Sequence, residues 1–320
     1  SIFQAFNGAY WRFGPGRLAV IDGDGRKLTY QDLSRGAFAL SGPIGRRTVK
    51  GEKVGILLPT GAGFLIGFLA ILAGGRIPAA LNFTAGSRNI KAACRAAQIS
   101  RVVTAKKFIE LAGLEKLIEE LSSSVEFIYL EDAREKINGT DKARALLGPF
   151  LPFALSARPH PDEIGVILFT SGTEGDPKGV ALSHANILAN VEQIAEHVKI
   201  EPTDIFFNPL PAFHCYGLTA GTLWPVLVGY PVVFHPSPLQ TKIIPKRIFE
   251  TSATVLFATD TFLQQYMRAS EEGGMSSLRL AVCGAERVRD ETRQAAEKRF
   301  SFEVLEGYGV AEASPVLAAN

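Results

Sequence analysis

Short apolar runs alternate with amphipathic stretches along most of this chain, and that alternation predicts strands joined by helices. In the first half Leu18–Asp22, Val54–Leu58, Arg101–Thr104 and Val125–Leu130 read as strands. Leu33–Leu40, Phe64–Ala73, Ser87–Gln98 and Phe108–Leu121 read as helices after an amphipathic opening segment. Asp22-Gly23-Asp24-Gly25 has the chemistry of a hairpin turn. Residues 131–146 are charged and mixed, and read as a solvated loop or helix face.

The second half alternates more plainly. Strands are predicted at Val166–Phe169, Ile205–Asn208, Val232–His235, Thr254–Phe257 and Leu278–Cys283, with Phe302–Leu305 as the last. Between them, helices are predicted at His184–Val198, capped by Ser183, near Gly217–Val228, and at Pro245–Thr251, Asp260–Arg268 and Arg287–Arg299. The fold class this predicts is α/β, two-lobed, with mainly parallel, doubly wound sheets flanked by helices. Pro149, Pro152, Pro159 and Pro161 mark a linker. The expected division is therefore a first lobe at 1–160 and a second at 161–320.

Two stretches without charge modify this picture. Val54–Gly75 could pass for a membrane span, but Pro59-Thr60-Gly61-Ala62-Gly63 breaks it into a strand, a turn and a helix. Residues 205–241 hold no Asp, Glu, Lys or Arg, and six prolines there forbid one long helix. With 320 residues the chain can bury a large core. Its 34 basic and 32 acidic residues give a net charge of +2, which offers nothing to a nucleic-acid partner. Cys94, Cys215 and Cys283 lie far apart, so no disulfide framework or zinc site is expected and a reducing cytoplasm is the default compartment. No secretory leader follows Ser1, and the internal start suggests a domain cut from a longer polypeptide.

The stretch richest in chemistry is Thr170-Ser171-Gly172-Thr173-Glu174-Gly175-Asp176-Pro177-Lys178-Gly179, directly after the strand Val166–Phe169. Its three glycines let several N–H groups point at one anion, while hydroxyls and the Lys178 ammonium add donors. That is what a polyphosphate needs, although a polar turn between strands has the same composition. It is not the Walker pattern, because Pro177 stands where that loop has glycine.

The order of residues is more specific. Phe169 to Gly179, followed by Val180-Ala181-Leu182-Ser183-His184, resembles the phosphate-loop signature of the adenylate-forming superfamily. Those are acyl-CoA synthetases, peptide-synthetase adenylation domains and luciferases. Glu174 departs from the usual Thr and is repulsive to phosphate unless it faces away. Thr29-Tyr30-Gln31-Asp32-Leu33 and the helix closing in Ala73-Gly74 before Pro78 are similar to earlier landmarks of the same family.

Three further segments match. Pro209-Leu210-Pro211-Ala212-Phe213-His214-Cys215-Tyr216-Gly217 is similar to the family segment whose histidine borders the carboxylate substrate, which implies that role for His214. Gly284, Ala285 and Glu286 after Cys283 resemble the segment lying along the adenine, though a plain strand-to-helix turn reads the same way. Glu306-Gly307-Tyr308-Gly309-Val310-Ala311-Glu312 resembles Tyr-Gly-x-Thr-Glu. By that resemblance Tyr308 stacks on adenine, Gly307 and Gly309 line it, and Glu312 holds Mg²⁺, for which a hard carboxylate is the right ligand. Ala311 lacks the usual hydroxyl, so only its backbone can meet phosphate. The nucleotide contacts implied in the loop are Thr170, Ser171, Gly172, Thr173, Gly175 and Lys178.

Within the superfamily the chain resembles most the bacterial acyl-[acyl-carrier-protein] synthetase / 2-acylglycerophosphoethanolamine acyltransferase branch, on Glu174, Gly307–Val310, Pro236-Ser237-Pro238-Leu239 and Tyr129-Leu130-Glu131-Asp132. The resemblance implies ATP and Mg²⁺ as cofactors and a fatty acid as substrate. It also implies acyl carrier protein, or alternatively CoA, as thiol acceptor. Residues 205–241 could wall an alkyl channel or be ordinary core. The ribose-binding Asp, hinge and C-terminal lid with its catalytic Lys have no counterpart here, so the piece alone is expected not to complete acyl transfer. No His is followed five residues later by Asp, so the branch's acyltransferase chemistry is expected in another domain of the same polypeptide, and the resemblance implies a cytoplasmic place that could reach the inner face of the cell membrane through that parent. There is no Gly-x-Ser-x-Gly elbow and no strand running into Gly-x-Gly-x-x-Gly, which sets aside serine hydrolases and dinucleotide oxidoreductases. A non-catalytic nucleotide-binding module remains the alternative from another class.

Overall fold

The computed structural model describes residues 1–170, 177–271 and 273–320. Strands form where the apolar, β-branched runs stand. In chain order the first are β1 (Leu18–Ile21), β2 (Lys27–Thr29), β3 (Lys53–Ile56), β4 (Ile77–Ala80), β5 (Arg101–Thr104), β6 (Glu126–Tyr129), β7 (Ile164–Thr170) and β8 (Lys178–Ser183). Then come β9 (Phe206–Asn208), β10 (Val232–Phe234), β11 (Val255–Ala258), β12 (Leu280–Cys283), β13 (Glu303–Gly309) and β14 (Val316–Ala319). They make two sheets, one in each of two compact units.

The first unit holds residues 1–16 and 30–188 around a sheet ordered β6-β5-β3-β4-β7-β8. All neighbours are parallel except the β7–β8 pair. One face packs Leu57, Leu81 and Val102 against Ile90, Cys94, Ile118 and Leu121 of the flanking helices. Over the other lies an aromatic layer in which Phe3 meets Phe38 edge-on at 5.3 Å and Phe6 stacks on Tyr30 at 6.0 Å. The uncharged stretch 54–75 resolves into β3, a turn and the helix Ala62–Ala73, buried almost all round. Among the described residues no helix is long and apolar enough to cross a membrane.

The second unit holds residues 17–29 and 189–320, with its sheet ordered β14-β13-β12-β11-β9-β10-β1-β2. Its strands are parallel except for the two edges, β14 and β2. The α/β class with largely parallel sheets flanked by helices is as expected. The expected division near residue 160 is not what the chain does. β7 pairs with β4 through Ala79 and Ile167, so the strand entering the phosphate-loop segment belongs to the first unit. The hairpin β1–β2 leaves that unit because Val20 and Ile21 pair with Val232 and Val233 of β10.

Local differences have local causes. The single helix expected at Phe108–Leu121 is two, Lys106–Ala112 and Glu115–Ser122, because Gly113 adopts a left-handed conformation with φ 62° between them. The stretch 131–146, expected as a solvated loop or helix face, forms the largely exposed helices Leu130–Glu135 and Gly139–Leu147. Asn138 caps the second, and its Asp141 is buried against Arg46 at 2.9 Å. The helix near 217–228 opens as a wide π-helical turn, Tyr216–Leu223, before Trp224–Val228. There the Thr222 hydroxyl donates to the Gly217 carbonyl at 2.8 Å, and Pro225 has no N–H to tighten the next turn. β13 is not the last strand: β14 follows it.

Candidate functional site

In the first unit the candidate residues sit where β7 and β8 open. Thr170 lies directly opposite Lys178 as the final pair of the antiparallel ladder, and Lys178 is exposed. Ser171, Gly172, Thr173 and Gly175, with Glu174, lie outside the described residues. Beside this opening is a cleft of about 130 Å³ walled by Leu81, Ile90, Ala93, Phe169, Thr170 and Pro177. After β8, Ser183 caps the helix His184–His197: its hydroxyl accepts from Asn186 N at 3.1 Å, and Asn186 Oδ1 accepts from Ser183 N at 2.9 Å. His184 is buried and accepts from Ile2 N at 3.3 Å through Nδ1, so its place is structural. Burial lowers its pKa to about 4.

In the second unit the candidates follow the carboxyl ends of the parallel strands β9, β12 and β13, where ligands of open α/β sheets collect. After β9 the buried Asn208 organises the turn: its Oδ1 accepts from Leu210 N at 3.0 Å and its Nδ2 donates to Gly217 O at 3.2 Å. That turn presents His214, which is exposed and whose ring rests on Phe213 with centroids 4.7 Å apart. The crowded apolar bed under it desolvates the imidazole and holds its pKa below the ordinary value. Burial pushes the neighbouring Cys215 thiol up, and the Glu312 carboxylate adds to the rise.

Gly284 follows β12, and its reason for being small is visible. The Tyr216 ring lies over it, where an added Cβ would come to 3.0 Å from Cε1, and the Tyr216 hydroxyl donates to Val282 O at 2.6 Å. Ala285 adopts φ 66°, an uncommon conformation for a residue with a side chain. The Glu286 carboxylate is already engaged. Its Oε2 accepts from Thr261 N at 3.0 Å and from Thr261 Oγ1 at 2.7 Å, at the start of the helix Asp260–Ala269. Any nucleotide contact from Glu286 therefore falls to its backbone.

β13 carries Gly307, Tyr308 and Gly309 at its end, with Cys283 of β12 opposite Glu306. The Tyr308 ring is 65% exposed, a flat apolar face without a cover. Gly309 crosses Pro315, whose carbonyl oxygen an added Cβ would overlap. Ala311 is buried and Glu312 exposed in the short turn that follows. Among the described residues no three His, Cys, Asp or Glu side chains converge on a metal position. An exposed carboxylate such as Glu312 suits a cation that takes most of its remaining ligands from phosphate and water.

Sequence reasoning passed over Tyr216 as the wall beside Gly284, and over the buried Asp260. The Asp260 carboxylate accepts from Thr292 Oγ1 at 2.6 Å, from Gln264 Nε2 at 3.1 Å and from Arg289 N at 3.2 Å, tying the segment after Gly284 to two helices. Asp directly after Thr259 at a helix start was the available signal.

A family model described as AMP-binding enzyme matches residues 10–320. A long-chain-fatty-acid–CoA ligase of Bacillus subtilis (strain 168) is 29% identical, aligned over 92% of this chain and 57% of its own length. A benzoate CoA ligase from Burkholderia xenovorans LB400 superposes with a TM-score of 0.85 at 19% identity, covering 100% of this chain and 63% of that one. ATP-bound MatB from Rhodopseudomonas palustris gives a TM-score of 0.80 at 22% identity, over 99% and 61% of the two chains. The chain thus spans 57% of the length of that curated relative.

Proposed function

The chain belongs to the AMP-binding enzyme family, and from that premise we propose that it is the nucleotide-binding part of an AMP-forming ligase that activates a fatty acid. A carboxylate oxygen of the acid attacks the α-phosphorus of ATP, the bond to the β-phosphate oxygen breaks, and acyl-adenylate and pyrophosphate result. A phosphopantetheine thiol then displaces AMP. The protein's task in the first step is to align the reactants and offset the charge that builds on the phosphates.

Lys178, Thr170 and the donors at Ser171, Gly172, Thr173 and Gly175 hold the leaving pyrophosphate. Tyr308 stacks on the adenine, with Gly284, Ala285, Gly307 and Gly309 along its edges and the backbone of Glu286 and Ala311 contributing N–H or C=O groups. Desolvation keeps His214 neutral near pH 7, so it can border the substrate carboxylate as a hydrogen-bonding group. Glu312 would help hold Mg²⁺ beside the phosphates, and the ion would supply charge neutralisation there. The observation that carries the reading is that the His214, Gly284 and Tyr308–Glu312 segments follow β9, β12 and β13 of one sheet, whose strands from β9 to β13 are parallel.

Resemblance in the loop and flanking segments favours acyl carrier protein as the thiol acceptor. The CoA ligase named above favours CoA as the second reading. Calorimetry with Mg-ATP tests nucleotide binding: measurable affinity that Lys178→Ala weakens supports the proposal, and no binding overturns it. Pyrophosphate release on adding a fatty acid separates an enzyme from a non-catalytic nucleotide module. Supplying carrier protein and CoA in separate reactions then decides the acceptor by which thioester forms.

A further inference from the structure

The first unit carries an exposed apolar patch. Trp11 on the helix Ile2–Phe13, Leu146 and Leu147 closing the helix Gly139–Leu147, and Phe150, Leu151 and Phe153 beyond it are each between 51% and 63% exposed. The two segments meet: the Trp11 indole lies edge-on to the Phe150 ring at 5.5 Å, and its Nε1 donates to Pro149 O at 3.0 Å. The base of the patch is firmly seated. Gly148 lies on the Phe38 ring, where an added Cβ would overlap it, and Arg144 Nε donates to Leu155 O at 3.1 Å. Single exposed apolar side chains are ordinary, but aromatics and leucines gathered on a rigid base mark an interaction surface.

Two observations select what covers it. The first is charge. Residues 1–16 and 142–161, which carry the patch, contain Arg12, Lys142, Arg144 and Arg158 and no Asp or Glu, the acids Asp162 and Glu163 following beyond them. Arg12, Lys142 and Arg158 are exposed. The second is the backbone. Leu147 O accepts from Phe150 N and Leu151 N, Leu151 O from Ala154 N and Leu155 N, and Pro152 O from Ser156 N. Phe153 O accepts from Arg158 and Pro149 O from Trp11, while Pro149 and Pro152 have no N–H to satisfy. A protein partner or water could satisfy bare carbonyls, but hydrocarbon cannot, so these carbonyls, already paired within the segment, are suited to lipid.

We propose that this patch rests on an anionic lipid surface. Trp11, Phe150, Phe153 and the leucines enter the boundary between headgroups and acyl chains, and the basic rim meets lipid phosphates. The contact is peripheral and belongs to this chain's own surface, independent of the ligase reading.

Flotation with vesicles tests it. The protein is expected to float with phosphatidylcholine vesicles that contain phosphatidylglycerol, weakly with phosphatidylcholine alone, and to be released by added salt. Phe150→Asp or Phe153→Asp lowers partition by about tenfold or more, and Lys142→Glu by about fivefold, with circular dichroism unchanged. Tryptophan emission shifts to the blue on adding anionic vesicles, and the shift is lost in Trp11→Phe because Trp224 is buried. No flotation with anionic vesicles, or flotation indifferent to these substitutions, overturns the proposal. So does self-association without lipid that Phe150→Asp abolishes, which would make the patch a contact between copies of the chain.

Discussion

Thr170 and Lys178 stand directly opposite each other as the last pair of the β7–β8 ladder. Opposed residues of an antiparallel pair project to the same side of the sheet, so a hydroxyl and an ammonium share one face at the mouth of the phosphate-loop segment. β7 is anchored on its other edge by β4. The pair is therefore fixed to the sheet rather than carried by a loose turn.

Because Lys178 is exposed, Lys178→Ala should leave the melting temperature unchanged. Its effect should fall on the reaction, lowering acyl-adenylate formation by about a hundredfold, the scale of losing one well-placed donor to developing charge. Pyrophosphate release with saturating ATP and fatty acid measures it. A stable variant with undiminished rate would remove Lys178 from the proposed chemistry.

Tyr308 and Gly309 are neighbours with opposite expected phenotypes. The exposed Tyr308 ring contributes little to folding, so Tyr308→Ala should weaken ATP binding about tenfold by losing a stacked base at unchanged stability. Gly309→Ala forces a Cβ into the Pro315 carbonyl and should destabilise the second unit by about 1–3 kcal/mol. Calorimetry and urea melts on the two variants separate the effects.

Arg279 guards a buried charge. Asp204 is buried, with Arg279 Nε at 2.8 Å from Oδ1 and the Thr254 hydroxyl at 2.7 Å. Burial raises the Asp204 pKa, but Arg279, Thr254 and the Glu201 N–H outweigh it and the net shift is downward from 3.8. A depressed folded pKa means the stabilisation is complete above the unfolded value and is lost as pH falls through the folded one. Arg279→Ala should therefore cost about 2–3 kcal/mol at neutral pH, less than a fully buried pair because the guanidinium is partly exposed. Denaturant melts at pH 7 and below 3.8 should show that cost shrinking in acid.

His235 is buried, stacked near Phe207, with Nε2 at 2.8 Å from Gln240 Oε1. Burial lowers its pKa from 6.5 to about 4. Between those values the unfolded chain binds the extra proton, so stability falls as pH drops from 6.5 towards 4, by about 1 kcal/mol per unit from this residue. His235→Phe should flatten that slope in urea melts, and an unchanged slope would assign the acid sensitivity to other groups such as His184.

Much of the candidate site was legible because its segments are local. Gly284 to Glu286 follows a strand and precedes a helix whatever the fold does, and Ser183 caps its helix with groups three residues away. What those residues touch was not legible. Gly284 is small because of a ring 68 positions earlier in the chain, and Glu286 spends its carboxylate on Thr261. β14 gave no signal because an exposed edge strand has no buried face to impose alternation.

The sequence by itself determined where strands and helices form, since apolar periodicity, capping residues and breakers act within a few positions. It also carried the ordered motifs that mark the family. Only the tertiary structure decided which sheet each strand joins: β1 and β2 go to the second unit and β7 to the first. Those choices rest on hydrogen bonds such as the pairing of Val20 with Val232, between backbones whose donors and acceptors are the same at every residue. Register over long separations is set by which side chains find complementary space, and that is a property of the assembled core rather than of any window of the chain.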